Sequence, residues 1–133
     1  MLTPSVAQGI GEIRRQYHMC TVLCKEDGQG GAYVVVDAVD LGDAYTPETR
    51  QSWIGFHVGF QYPFSDIYPH FVRFDLQRVD KRPFGTGMSG PMQFVGFGRD
   101  AVQLSRRSNH RDPTTETALL KLLKVLDWVR AGP

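Results

Sequence analysis

Cysteine is scarce in this chain: Cys20 and Cys24 are the only two. An extended segment would place residues four apart on one face but roughly 13 Å from each other. A disulfide needs Cα atoms within about 7 Å, so the pair is not expected to bridge. Long apolar runs are also missing, since no window reaches the roughly 18 residues of a membrane span. The N-terminus "MLTPSVAQGIGEIRRQYH" lacks the basic-then-apolar order of a signal peptide. The expectation is a cytoplasmic protein with no membrane partner. An excess of one charge is absent too: 15 Lys and Arg face 14 Asp and Glu, for a net charge of +1. That removes the broad positive field of nonspecific nucleic-acid binding and leaves room only for a local basic patch. His18, His57, His70 and His110 are scattered without His-x-His or His-x3-His spacing, so no metal site is expected and no cofactor is implied.

What is present fits one domain. A chain of 133 residues can build a single core and is too short for two, so residues 1–133 are read as one unit. Thr3 followed by Pro4 is a cap-then-proline helix start. Val6, Ile10, Ile13 and Tyr17 then recur at helical spacing, weakened by Gly9 and Gly11. "CTVLCKEDGQGGAYVVVDAVDLG" places two β-branched runs around a glycine-rich turn, which reads as a hairpin. "RQSWIGFHVGF" and "PHFVRFDL" supply two more runs, hence a four-stranded antiparallel meander. In the third run Ile54, Phe56, Val58 and Phe60 alternate with Trp53, Gly55, His57 and Gly59. The first set is the expected core face, and Trp53 and His57 fall on the open face of the sheet.

From Asp80 to Gly98 the chain is rich in glycine and carries Pro83 and Pro91, a composition that predicts a long irregular loop anchored by Phe84, Met92, Phe94 and Phe97. A closing helix is predicted to open at Asp112 and Pro113 and to stop at Gly132. Leu119, Leu122, Leu123, Leu126 and Val129 form its apolar face, with Lys121 and Lys124 pointing outward. The fold class expected is α+β.

Helix, meander, irregular segment and closing helix is the element order of the ubiquitin-conjugating-enzyme fold. The segment "VGFQYPFSDIYPHFVRF" sharpens it, because it resembles the family's aromatic-Pro and Tyr-Pro turn into the fourth strand. "EDGQGGAYVVVDAVDLGDAYTPETRQSWIGFHV" is similar to the family's second strand, turn and third strand. The resemblance covers nearly the whole chain and is strongest to the bacterial conjugating-enzyme-like proteins encoded beside ubiquitin-like modifiers and their activating enzymes. It implies a setting in bacterial antiviral defence or stress response.

In that family the catalytic cysteine follows the irregular segment in an apolar-Cys-Leu pattern, after a His-Pro-Asn tripeptide. The corresponding stretch here is "GFGRDAVQLSRR". Matching Val102-Gln103-Leu104 to the pattern puts Gln103 where the nucleophile would stand, within a remnant site of Asp100, Val102, Gln103, Leu104 and Ser105. No His-Pro-Asn precedes it. A carboxamide is not a nucleophile at neutral pH and forms no thioester, whereas a thiol with a pKa near 8.5 does. The resemblance therefore implies an inactive variant.

Three other constellations have bland readings that outweigh the sharp ones, and for a fourth the two readings balance. Cys24, beside Lys25, and Cys20 are fallback nucleophiles, although buried inert cysteines are common. Ser105, Ser108, His110 and Asp112 invite a Ser-His-Asp reading, but triads are assembled from separated segments and no nucleophile elbow is present. "GTGMSG" lacks the Lys-Ser/Thr of a phosphate loop. Arg106, Arg107 and Arg111, beside His110, form a basic cluster whose guanidinium forks suit carboxylates and phosphates, so an acidic partner surface balances a merely solvating role.

The sequence thus leads to a non-catalytic binding subunit. It would hold a ubiquitin-like protein, or its activating or conjugating enzyme, in a hetero-oligomer through Arg106, Arg107, His110, Arg111, Trp53 and His57. An active conjugating enzyme using Cys24 or Cys20 is the first alternative, and a small Ser/His hydrolase the second.

Overall fold

Thr3 holds an extended backbone, and its hydroxyl accepts the Val6 N–H at 3.2 Å, so helix α1 (Pro4–Gln16) begins where the cap and proline place it. This is seen in a computed structural model that describes residues 1–133. Val6, Ile10 and Ile13 are buried along one face. Gly9, which weakens the helix in isolation, has a packing reason: a Cβ there would lie 3.0 Å from the Tyr62 ring.

The strands are β1 (Val22–Glu26), β2 (Ala32–Asp40), β3 (Gln51–Val58), β4 (His70–Arg73), β5 (Met88–Phe94) and β6 (Arg99–Leu104). They form one six-stranded sheet in the order β1-β2-β3-β4-β6-β5, with every pairing antiparallel. Cross-strand partners share a face, so the register defines rows across the sheet. One row runs Cys24, Val34, Phe56, His70, Leu104, Met88 and faces the helices. The adjacent row runs Leu23, Val35, Gly55, Phe71, Gln103, Ser89 on the opposite face.

The four-stranded expectation is therefore corrected to six. The two added strands come from the glycine-rich segment and the stretch after it. β5 tolerates Gly90 and Pro91 because it is an edge strand and its register slips between Ser89 and Met92, where a missing N–H costs no ladder bond. A single 3-10 turn (Val95–Phe97) ending at Gly98, with φ 61°, joins β5 to β6. Only the part before Met88 stays irregular. Phe60 is corrected as well: β3 ends at Val58, and Phe60 is exposed.

Helix α2 (Ala118–Arg130) starts five residues later than Asp112 and Pro113 suggest. Asp112 instead closes its own turn, accepting the N–H and hydroxyl of Thr114, and Thr117 caps the helix by accepting the Leu120 N–H. Ala118, Leu122, Val125, Leu126 and Val129 are buried, Leu123 is only half-buried, and Lys121, expected outside, is buried. Lys121 turns inward because polar partners wait at the edge of the apolar face. Gly132, at φ 73°, follows the helix end as expected.

α1 and α2 cover one sheet face and enclose the main core, which contains Val6, Ile13, Val34, Phe56, Tyr45, Leu104, Leu122 and Leu126. Tyr62 links the helices, since its hydroxyl accepts the first N–H of α2, Ala118, at 2.9 Å. The other face carries a smaller aromatic cluster. Phe94 stacks there with Trp53, Phe71 and Phe97 and meets Tyr33 edge-on. No helix is long and apolar enough to cross a membrane.

Candidate functional site

Gln103 lies within β6, on the sheet face away from the helices, between Phe71 of β4 and Ser89 of β5. Its Nε2 donates to Ser105 Oγ at 3.0 Å. Alternation along β6 turns Val102 and Leu104 into the helix-side core, so two of the five residues expected in a remnant site are packing residues. Asp100 accepts a hydrogen bond from the Gln93 amide at the far end of the strand. Only Gln103 and Ser105 come together. Ser105 stands beside Tyr68, and it, followed by the Arg107 guanidinium, lowers the phenol below its usual value. The result is a polar strip of Tyr68, Gln103, Ser105 and Arg107 without a thiol.

Neither cysteine is near this strip. Cys24 sits in β1, four strands from β6, which is roughly 19 Å across the sheet, and its row faces the helices. Burial pushes its thiol up, against a smaller lowering from Arg14. Cys20 is half-buried against the core, and both thiols are free.

The serines, His110 and Asp112 do not assemble a triad. Ser108 Oγ lies 3.1 Å from Glu116 Oε1 and accepts from Lys121 Nζ at 2.8 Å, while Asp112 binds Thr114. His110 is exposed at φ 54°. A Ser108–Lys121 dyad fails on valence. Ser108 has one hydroxyl proton and it points to Glu116 Oε1, so Oγ meets Lys121 Nζ as an acceptor, while Nζ also donates to Asp66 at 3.1 Å and to the Arg106 carbonyl at 2.7 Å.

Sequence reasoning missed this network of Asp66, Ser108, Arg111, Glu116, Lys121 and Lys124. The available signal was the position of Lys121, three residues after Ala118 and four before Val125 on the buried face. Glu116 is buried: desolvation would raise its carboxyl, but bonds from Lys124, Arg111 and Ser108 together outweigh it and hold the group low. Arg111 is committed internally, donating to Glu116 at 3.0 Å and to the Phe64 carbonyl at 3.1 Å.

Arg106 and Arg107 are different. Both are exposed and take part in none of the ion pairs of this region, which are Arg111 and Lys124 with Glu116, and Arg111 and Lys121 with Asp66. The Arg106 guanidinium lies 5.7 Å from the centre of the Trp128 ring, and that of Arg107 lies 4.2 Å from the Tyr68 ring. On the open face, His57 stacks on Tyr33 at 4.5 Å and its Nε2 is 2.7 Å from Asp27 Oδ2. Trp53 stacks on Phe94 with the Arg99 guanidinium 5.0 Å from its ring. β4 separates β3 from β6, so Trp53 and His57 form a second patch roughly 10 Å from the Gln103 strip. No family model, curated protein or solved structure matches the chain.

Proposed function

We propose that the chain is a ubiquitin-conjugating-enzyme-like binding subunit without conjugating chemistry of its own. It holds a ubiquitin-like modifier, or the activating or conjugating enzyme that serves it, in a cytoplasmic bacterial pathway of the antiviral-defence type. The work done is positioning, which raises the effective concentration of the reacting ends. One observation carries the reading: Gln103, whose amide is tied to Ser105, occupies the position matched to the nucleophile, on a sheet face that holds no thiol. A carboxamide there can orient a carbonyl by hydrogen bonding but cannot attack it.

The test is a charging reaction with ATP, a bacterial ubiquitin-like modifier and its activating enzyme, resolved on a non-reducing gel next to a Cys20→Ala/Cys24→Ala variant. The reading expects no reducible adduct and co-elution of a partner with both proteins alike. An adduct lost in the variant would instead establish a conjugating enzyme with a displaced cysteine.

A further inference from the structure

The segment after β6 and the outer side of α2 enclose a groove of about 590 Å³ lined by Arg106, Arg107, Asn109, Lys124, Asp127 and Trp128. Its chemistry is uneven. Lys121 and Lys124 reach it, but each is already paired with an inward carboxylate, Asp66 and Glu116 respectively. That leaves Arg106 and Arg107 as the two cations with no counter-charge.

Both are held in place without being neutralised. The Trp128 ring is itself fixed from behind, since a Cβ on Gly87 would come within 2.9 Å of it, and the Arg106 guanidinium sits over that ring. Tyr68 does the same for Arg107. Stacking on a π face leaves the N–H edges of a guanidinium free to donate. The backbone between β6 and α2 is equally constrained, because Lys121 holds the Arg106 carbonyl and Asp66 accepts the Ser108 N–H at 2.9 Å. Two unpaired guanidinium forks on a fixed backbone match carboxylates, which accept two parallel N–H bonds each.

We infer that this groove is a docking site for an acidic peptide segment of a protein partner, its carboxylates engaging Arg106 and Arg107 and its backbone running past Asn109 along α2. The inference rests on the binding-subunit reading and narrows it to one surface and one partner chemistry. One feature favours a short acidic peptide over a nucleic acid. The chain as a whole carries a net charge of only +1 and so lacks the field that gathers a polyanion.

The experiment uses a Trp53→Phe background, so that Trp128 is the only tryptophan, and follows its emission with fluorescein-labelled hexaglutamate as the probe. Hexaglutamine and an oligothymidylate serve as competitors. Hexaglutamate should bind and perturb Trp128, and neither competitor should displace it. Arg106→Glu/Arg107→Glu and the milder Arg106→Gln/Arg107→Gln should each weaken binding about tenfold or more without moving the unfolding midpoint. No hexaglutamate binding at millimolar concentration, binding unchanged in both variants, or displacement by oligothymidylate would each overturn the inference. Failure of the parent reading looks different: an adduct in the charging reaction refutes it whatever the peptide does. Co-elution of a partner with Arg106→Glu/Arg107→Glu would refute only the groove.

Discussion

Lys121 Nζ lies 3.1 Å from Asp66 Oδ2, so a buried lysine of α2 is paired with a carboxylate from the loop between β3 and β4. The pair is the keystone of the polar network behind the Arg-rich segment. Lys121→Met would leave Asp66 with the Ser108 N–H as its hydrogen-bond donor and Arg111, 3.9 Å away, as its one cation. Stripping one member from a buried pair costs about 3 to 5 kcal/mol, because the other charge stays desolvated. We expect a loss near the lower end, since Asp66 keeps some contact with water. Asp66→Asn combined with Lys121→Met should cost less than the sum of the two, a coupling that denaturant unfolding of all four proteins would measure.

The aromatic cluster makes a second claim. A Cβ on Gly55 would lie 2.5 Å from Phe94 Cε2, so the Phe94 ring occupies the space that any other residue at position 55 would need. Gly55→Ala should destabilise by about 1 to 3 kcal/mol through overpacking. It should also shift the near-ultraviolet circular dichroism of Trp53, which stacks on Phe94. Gly55→Ala/Phe94→Leu should recover part of the loss, and additive losses would show that the ring is not what fills that slot.

His70 should make stability depend on pH well above the carboxylate range. It is fully buried on the helix side of the sheet, 5.1 Å from Phe56, and neither ring nitrogen has a partner. Burial, and then the positive charge of Lys121, lower its pKa to about 3. Unfolding restores an ordinary imidazole with a pKa of about 6.5. Between those values the unfolded chain takes up a proton that the folded chain refuses, so stability is fully present above pH 6.5 and is lost progressively as pH falls toward 3. Unfolding free energies of His70→Leu across that window should show a flatter slope than the parent. An identical slope would refute the assignment.

The Cys24 thiol should be sluggish. Burial raises the Cys24 thiol, so less thiolate is present at neutral pH than in a free cysteine. Alkylation of Cys24, followed by mass spectrometry, should be slower than that of a short unstructured peptide carrying one cysteine. It should accelerate under denaturant. Fast labelling of the native chain would revive Cys24 as a nucleophile.

The parts of the fold legible in the sequence are those set by local chemistry. Thr3-Pro4, the glycine-rich hairpin turn and the alternation in "SWIGFHV" each dictate structure within a few residues, and α1, β1, β2 and β3 follow from them. β5 and β6 were not legible. Gly90 and Pro91 argue against a strand unless it lies at an edge with a slipped register, and only the whole sheet supplies that setting. The same limit applies to the candidate site. The exposure of Arg106 and Arg107 could be anticipated, but their mounting on Trp128 and Tyr68 joins residues far apart in the chain. Lys121 is the instructive case: its spacing on the buried face was readable, and only the fold shows Asp66 and the Arg106 carbonyl waiting for it.

The sheet order has a bearing on how any partner is read. β1 and β5 are the two edges, and each carries a feature that discourages strand addition. β1 spans only five residues and ends in Lys25 and Glu26, both exposed. β5 is interrupted by Pro91, which offers no N–H, at the point where its register slips. Such edges resist intermolecular ladders and the polymerisation they seed. They also limit the main-chain hydrogen bonds that β-augmentation could offer a peptide ligand, which puts more weight on recognition through side chains.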